Sequence, residues 1–322
     1  MKLPTRPSTS GSRIVTLTMN PALDITTTAD QVRPTEKVRC HGARYDAGGG
    51  GINVAHIAHV LGASVSAVFP AGGQSGQVVA DLVVEAGVGF HRIKLAEATR
   101  ESFTVNEACT GKQYRFVLPG PRLSFAEQAQ CLDALRTAAR SAEFVVASGS
   151  LPPGVPADYY QRVADICAEL GALLVLDTSG GGLRHITSGV FLLKASVREL
   201  RECVECDLVS EPEQVAAAQQ LIRCGLAQSV VVSLGSRGAL VATAQGSQRF
   251  SAIPMRSGSG VGAGDAMVAA ITVGLSRGWP LDKSVRFGIA AGAAMLMTPG
   301  TAACNRADVD RLFELVPEPT DA

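Results

Sequence analysis

Short apolar, β-branched runs recur along this chain at residues 14–19, 65–69, 144–147, 173–176, 190–193 and 230–234. Between several of them lie stretches with apolar residues at three-to-four spacing (125–139, 157–170 and 212–224), the signature of helices with one buried side. Strands apolar nearly throughout cannot leave one face wet. Separated by helices, they predict a mostly parallel sheet covered on both sides, an α/β fold. The 322 residues suffice to bury such a sheet in one large domain, predicted over 13–316, with 1–12 and 317–322 as loose ends.

Two segments break the rhythm. Residues 24–47 and 101–119 lack helix signals, and within the second, Ser102-Phe103-Thr104-Val105-Asn106 and Gln113-Tyr114-Arg115-Phe116-Val117 alternate like half-exposed strands about a Thr110-Gly111-Lys112 turn. They predict a small antiparallel sheet mounted on the main domain as a lid.

Lys and Arg together number 29, as do Asp and Glu, so no bulk charge draws the chain to nucleic acid or to acidic lipid. Any phosphate recognition must be local. The apolar stretch 287–304 is diluted by glycine, alanine and proline and reads as a buried helix rather than a membrane span. Residues 1–13 are polar, with two prolines and no apolar core, so no secretory leader is expected, and the eight cysteines are expected as reduced thiols in the cytoplasm. Cys203 and Cys206 have Cys-x-x-Cys spacing, but no second pair or nearby histidine completes a zinc set. His56 and His59 lie one helical turn apart without a third ligand, and read as structural.

The chemistry concentrates in glycine loops. Gly260-Val261-Gly262-Ala263-Gly264-Asp265 opens directly onto an apolar helix pattern, and free N–H groups at a helix N-terminus form an anion site. A carboxylate in such a cradle repels a phosphate unless it has its own task. For Asp265 that task is accepting the proton of a hydroxyl that attacks the phosphate, which makes the chain a kinase. Gly48-Gly49-Gly50-Gly51-Ile52-Asn53 also precedes a helical pattern. The residues before it do not form the buried strand that a dinucleotide fingerprint requires, which argues against a nicotinamide oxidoreductase. The loop instead allows close approach of a polar ligand, with Asn53 able to bond sugar hydroxyls, or it serves the fold alone. Asp24, after the first strand, can accept two sugar hydroxyls, although a turn-capping role explains it more simply. Lys37, Arg100 and Arg115 fall in or beside the lid as phosphate-binding candidates; each can also be a surface charge. Lys194 ends an apolar strand and is placed to steady a triphosphate, and Glu199 and Asp177 are candidate magnesium-side carboxylates. Surface ion pairing is the alternative for each of these three.

The Gly-Gly-x-Gly-Ile-Asn loop, Ser148-Gly149-Ser150-Leu151-Pro152-Pro153-Gly154, Ser233-Leu234-Gly235 and Val261-Gly262-Ala263-Gly264-Asp265 follow one another in this order. In that order and spacing the chain resembles the PfkB (ribokinase-like) carbohydrate kinase family over nearly its whole length. Within the family it is most similar to the branch that phosphorylates fructose 6-phosphate at the 1-hydroxyl, because Gly50 stands where sister sugar-phosphate kinases usually carry lysine. The resemblance implies a ribokinase-like fold with ATP and Mg²⁺ as cofactors. It implies Asp265 as the base, the Gly262, Ala263 and Gly264 amides as an anion hole, and Asp24, Gly49, Gly50, Asn53 and Ser148 around the sugar. Lys37, Arg100 and Arg115 would lie nearer its phosphate, with Lys194, Ser196, Ser233, Gly235 and Gly238 along the ATP site and a homodimer through the lid. One departure stands out. The family usually reads Lys-Pro-Asn-x-x-Glu where this chain reads Lys194-Ala195-Ser196-Val197-Arg198-Glu199, which leaves a weakly active sugar-phosphate or nucleotide sensor as the alternative from another class.

Overall fold

The computed structural model describes residues 13–255, 260–298 and 304–322. The loose end expected at residues 1–12 lies outside them. In chain order the elements are β1 (Ile14–Leu17), β2 (Ala22–Ala29), β3 (His41–Gly48), α1 (Gly50–Val60), β4 (Val65–Gly72), α2 (Gly73–Glu85), β5 (Gly89–Leu95), β6 (Arg100–Glu107) and β7 (Gln113–Val117). There follow α3 (Phe125–Ala138), β8 (Phe144–Ser148), α4 (Tyr159–Leu170), β9 (Leu173–Asp177), α5 (Gly181–Arg184), β10 (Val190–Ser196), α6 (Val197–Val204) and α7 (Glu211–Arg223). The chain ends with β11 (Ala227–Ser233), β12 (Ala239–Thr243), β13 (Gly246–Phe250), α8 (Ala263–Ser276), α9 (Leu281–Met295), α10 (Arg306–Phe313) and β14 (Thr320–Asp321).

The main sheet has ten strands in the order β14-β13-β12-β11-β10-β9-β8-β1-β4-β5. From β5 to β11 every pairing is parallel, and β12, β13 and β14 close one edge antiparallel. Each apolar run of the sequence lies in this sheet. Successive residues point to opposite faces, so one strand serves two cores: Phe144 and Val146 pack with α1, α8 and α9, whereas Val145 and Ala147 pack with α3 and α4. The end expected to be loose is instead paired, because β14 adds to β13 opposite Gln248 and Arg249.

Helix starts follow side-chain chemistry. Ser124, Ser196 and Ser210 cap α3, α6 and α7, each in a reciprocal box with the glutamate three residues on. Helix α8 is buried from Ala266 to Ser276, a helix apolar all round that anchors its own N-terminus firmly. None of the described helices is long and apolar enough to cross a membrane.

Strands β3, β2, β6 and β7 form a separate four-stranded sheet in that order. The expected antiparallel pairing holds for β2–β3 and β6–β7, while the central pair β2–β6 runs parallel. Register puts Asp24 opposite both Asp46 and Ser102, and Ser102 opposite Val117. That row faces the main domain.

Candidate active site

Between the carboxyl ends of β8, β9 and β10 and the inner face of the small sheet lies a cavity of about 370 Å³. Its floor is the start of α8. Gly262 holds the left-handed conformation (φ +78°) as N-cap, which turns the chain sharply into the helix. The first helical bond of α8 runs from the Ala266 N–H to the Gly262 carbonyl, at 2.9 Å, so the Gly264 and Asp265 N–H groups have no helical acceptor. Among the described residues neither has another acceptor, so both can serve an anion. The Ala263 N–H donates to the Gly260 carbonyl at 3.2 Å, and Ala263 does not line the cavity.

Asp265 sits at the centre of a charged set. Asn53 Nδ2, from α1, donates to its Oδ2 at 2.8 Å. Burial raises the Asp265 pKa to about 7 and Asp177 adds to the rise, against the Asn53 hydrogen bond and the Lys194 charge. Lys194 Nζ donates to both oxygens of Asp177 at 3.2 Å. Burial opposes the Lys194 charge, yet Asp177, Glu199 and Asp265 together hold its pKa above the ordinary value, so it stays an ammonium. A side chain at position 264 would strike that ammonium, with a Cβ only 2.9 Å from Nζ. Any larger residue there would push the ammonium aside.

On the lid side of the cavity, Asp24 looks inward from β2, hard against Gly48. Burial lifts its pKa to about 6 despite Arg100 and Arg115 nearby, and Asp46 adds to the rise. Gly49 and Gly50 line the cavity, and Ser148 Oγ fills the space that a side chain on Gly50 would need. Arg100 also lines it, but its guanidinium spans three backbone carbonyls, of Asn20 (3.0 Å), Leu118 (3.2 Å) and Pro21 (3.4 Å), tying the lid to the end of β1. Arg115 reaches the rim from β7.

The structure does not gather every predicted residue. Lys37 stands exposed on the stretch between β2 and β3, away from the cavity. Ser233 ends β11 and Gly235 and Gly238 follow it, and none of the three lines the cavity. Gly238 has a structural reason to be glycine: at φ +103° a Cβ would run into the Phe250 carbonyl. Ser196 lies just behind Glu199. Its Oγ accepts from the Glu199 N–H at 3.2 Å, while Glu199 Oε2 accepts from the Ser196 N–H (2.7 Å) and Oγ (2.8 Å). Serine thus supplies the cap of α6 and fixes one oxygen of the Glu199 carboxylate, which lines the cavity.

Several lining residues were not anticipated: Thr26, Ser102, Thr104, Gln113, Ser150, Thr178 and Ser179. Two sequence signals were available for them. Thr178 and Ser179 directly follow the end of a parallel strand, where ligands collect. Thr26, Ser102 and Thr104 share the period-two face of Asp24.

This arrangement, a helix N-terminus with free N–H groups, a carboxylate poised to take a proton and a buried lysine beside it, is that of a phosphotransferase. Residues 17–308 match the family described as pfkB family carbohydrate kinase. This chain belongs to that family. The kinase is 72% identical over 309 residues to the ATP-dependent 6-phosphofructokinase isozyme 2 of Mycobacterium tuberculosis, covering 96% of this chain and 91% of the relative. It is 36% identical to the isozyme 2 enzyme of Escherichia coli over 303 residues, 94% of this chain and 98% of that one. The crystal structure of phosphofructokinase-2 from Escherichia coli in complex with fructose-6-phosphate superposes with a TM-score of 0.89 at 34% identity, covering 95% of this chain and 99% of that chain. The ribokinase-like α/β fold expected from the sequence is therefore the fold of the kinase.

The Asp265 pKa sets an expectation for pH. A base works only when deprotonated, so kcat/KM should fall as pH drops below about 7, approaching tenfold per unit, and more steeply below about 6 as Asp24 protonates. An initial-rate profile that stays flat from neutrality down to pH ~5 would show that neither carboxylate acts in its ionised form.

Proposed function

We propose that this kinase transfers the γ-phosphoryl group of ATP to the 1-hydroxyl of fructose 6-phosphate, giving fructose 1,6-bisphosphate and ADP. The observation that carries the reading is Asp265, raised in pKa and fixed by Asn53 at the mouth of the α8 N-terminus. A carboxylate of pKa near neutrality takes up a hydroxyl proton more readily than an ordinary one, and general-base help as a whole is typically worth about 10²–10⁴ in rate.

The residues present fit the expected cofactors. ATP with Mg²⁺ supplies the phosphoryl group and neutralises its charge. Mg²⁺ keeps several waters and needs only one or two protein carboxylates. Glu199, capped by Ser196 and facing the cavity, suits that role through a water. Asp177, expected on the metal side, accepts from Lys194 through both oxygens and keeps that ammonium in place. The Gly264 and Asp265 N–H groups stabilise negative charge on the moving group without reorganising. Asp24 accepts sugar hydroxyls, with Asn53, Gly49, Gly50 and Ser148 shaping the pocket, and Arg115 gives a cation for the sugar phosphate. Arg100 contributes a field there while its hydrogen bonds hold the lid. Eight unpaired thiols and a phosphorylated substrate suit a reducing, cytoplasmic setting.

The lid supports a homodimer. Tyr45, Ile25, Phe103 and Phe116 fall in one row across its four strands, alternating with the Asp24 row; Ile25 packs on the core and Phe103 touches the cavity, while Tyr45 and Phe116 are half exposed. Such an apolar row invites a second copy. Phe116→Lys should shift the protein from dimer to monomer in light scattering, and an unchanged mass would place the contact elsewhere.

The reaction is tested by ADP release with Mg-ATP and fructose 6-phosphate, fructose 1-phosphate or tagatose 6-phosphate at matched concentrations. A clear preference for fructose 6-phosphate is expected. Preference for another sugar phosphate would reassign the substrate, and binding without turnover would make the chain a sensor.

A further inference from the structure

A second cavity, of about 290 Å³, lies at the root of the lid. Its floor is apolar, formed by buried Ile52 and Ala55 on α1, Ala67 on β4 and Val83 on α2. Its rim is polar on three elements: Asp46 on β3, His56 on α1 and Glu85 at the end of α2. Arg44 donates to Asp46 Oδ2 from Nε at 2.9 Å and Nη2 at 2.8 Å. Among the described residues nothing donates to Asp46 Oδ1, and neither His56 nor Glu85 has a hydrogen-bond partner. Burial and neighbouring His59 lower the His56 pKa against the pull of Asp46, so the ring is neutral and offers a lone pair. Two carboxylates, Asp46 and Glu85, stand at the rim against one guanidinium, that of Arg44. An apolar floor under a net-negative rim selects one kind of molecule.

We propose that this cavity binds a small apolar ligand carrying a single ammonium group, and that it is coupled to the sugar site through β3. The strand leads from one cavity to the other: Asp46 and Ala47 line this one, and Gly49 and Gly50, just past the end of β3 at Gly48, line the other. Asp46 also lies directly opposite Asp24 in the β2–β3 register. An ammonium held at Asp46 offsets its repulsion of Asp24 and favours the ionised carboxylate that receives the sugar hydroxyls. Occupancy should therefore tighten sugar-phosphate binding, and by linkage the sugar phosphate should tighten the amine by the same factor.

The test uses the full chain and three probes of one shape: benzylammonium, benzyl alcohol and benzoate. In titration calorimetry benzylammonium should bind about fivefold more tightly than the alcohol, as one partly exposed charge interaction allows, and benzoate should be weakest. Ala86→Phe, which puts a ring into the cavity, should abolish binding. Glu85→Gln, on an exposed position, should narrow the preference for the cation. Benzylammonium should lower the apparent KM for fructose 6-phosphate in the native protein and leave it unchanged in Ala86→Phe. Equal affinity for the three probes, or unaltered binding in both variants, overturns the site. Binding with no change in KM overturns the coupling. Binding is read without turnover, so its result stands apart from the identity of the reaction.

Discussion

Asp265→Asn should lower kcat by about 10²–10⁴ at pH 8, with the KM values for both substrates little changed, because asparagine keeps the shape and the contact to Asn53 but cannot take a proton. The same substitution should make the protein more stable. In the folded state the carboxyl has a pKa near 7, well above the 3.8 of an unperturbed aspartate. The unfolded chain ionises this group from about pH 4 upward while the folded state holds the proton, so the cost to folding grows between the two pKa values and is full above about 7. Each pKa unit corresponds to about 1.4 kcal/mol, so after allowance for solvent at the cavity floor the gain for asparagine at pH 8 is about 1–3 kcal/mol. The gain should shrink steadily as pH falls from about 7 and vanish at about pH 4, where the unfolded aspartate is protonated too. Thermal unfolding and initial rates on the same samples check both halves. A purely structural Asp265 would lose stability together with activity, and near-wild-type turnover in the asparagine variant would remove it from the mechanism.

The second large effect is expected at Lys194. Its ammonium is paired with Asp177 in a buried setting, with side-chain exposures of 8% and 10%. Lys194→Met leaves Asp177 without its cation, which should cost about 3–5 kcal/mol of stability. Activity should be lost too, since the ammonium lies within Coulombic reach of Asp265 and beside Gly264. A double variant separates the effects. Lys194→Met with Asp177→Leu removes both charges, and should recover most of the stability, because buried pairs are often replaceable by apolar residues of similar size. It should recover no turnover. Recovery of both would mean that the pair serves packing alone, and denaturant unfolding beside the rate assay distinguishes the cases.

The structural role of Ser196 changes how the departure at residues 194–199 bears on activity. A serine in place of asparagine looks like damage when read as a missing amide. In the structure its hydroxyl completes a capping box, so the helix start and the direction of Glu199 are both preserved. The Ser-x-x-Glu spacing was visible in the sequence. Its meaning depended on β10 ending at that serine, which no local pattern announces.

Sequence alone determined the parallel sheet and the glycine loop that opens an apolar helix with Asp265, the proposed base, in its first turn. Buried strands read as unbroken apolar runs, serine caps and glycine turns act over three or four residues, and Asp265 belongs to a loop whose chemistry is contiguous in the chain. Tertiary structure decided what depends on distant segments meeting. Asn53 and Asp265 are 212 positions apart, and only the packing of α1 beside α8 joins them. The final residues were expected to be loose because two residues carry almost no strand signal; the open edge of β13 supplied the missing partner. Arg100, a phosphate candidate by charge, became a clamp on three carbonyls because the parallel β2–β6 pairing brings it against the end of β1. Propensity and capping are encoded within a turn or two of chain, whereas the pKa of a carboxylate depends on which charges and how little water surround it, and folding alone assembles those.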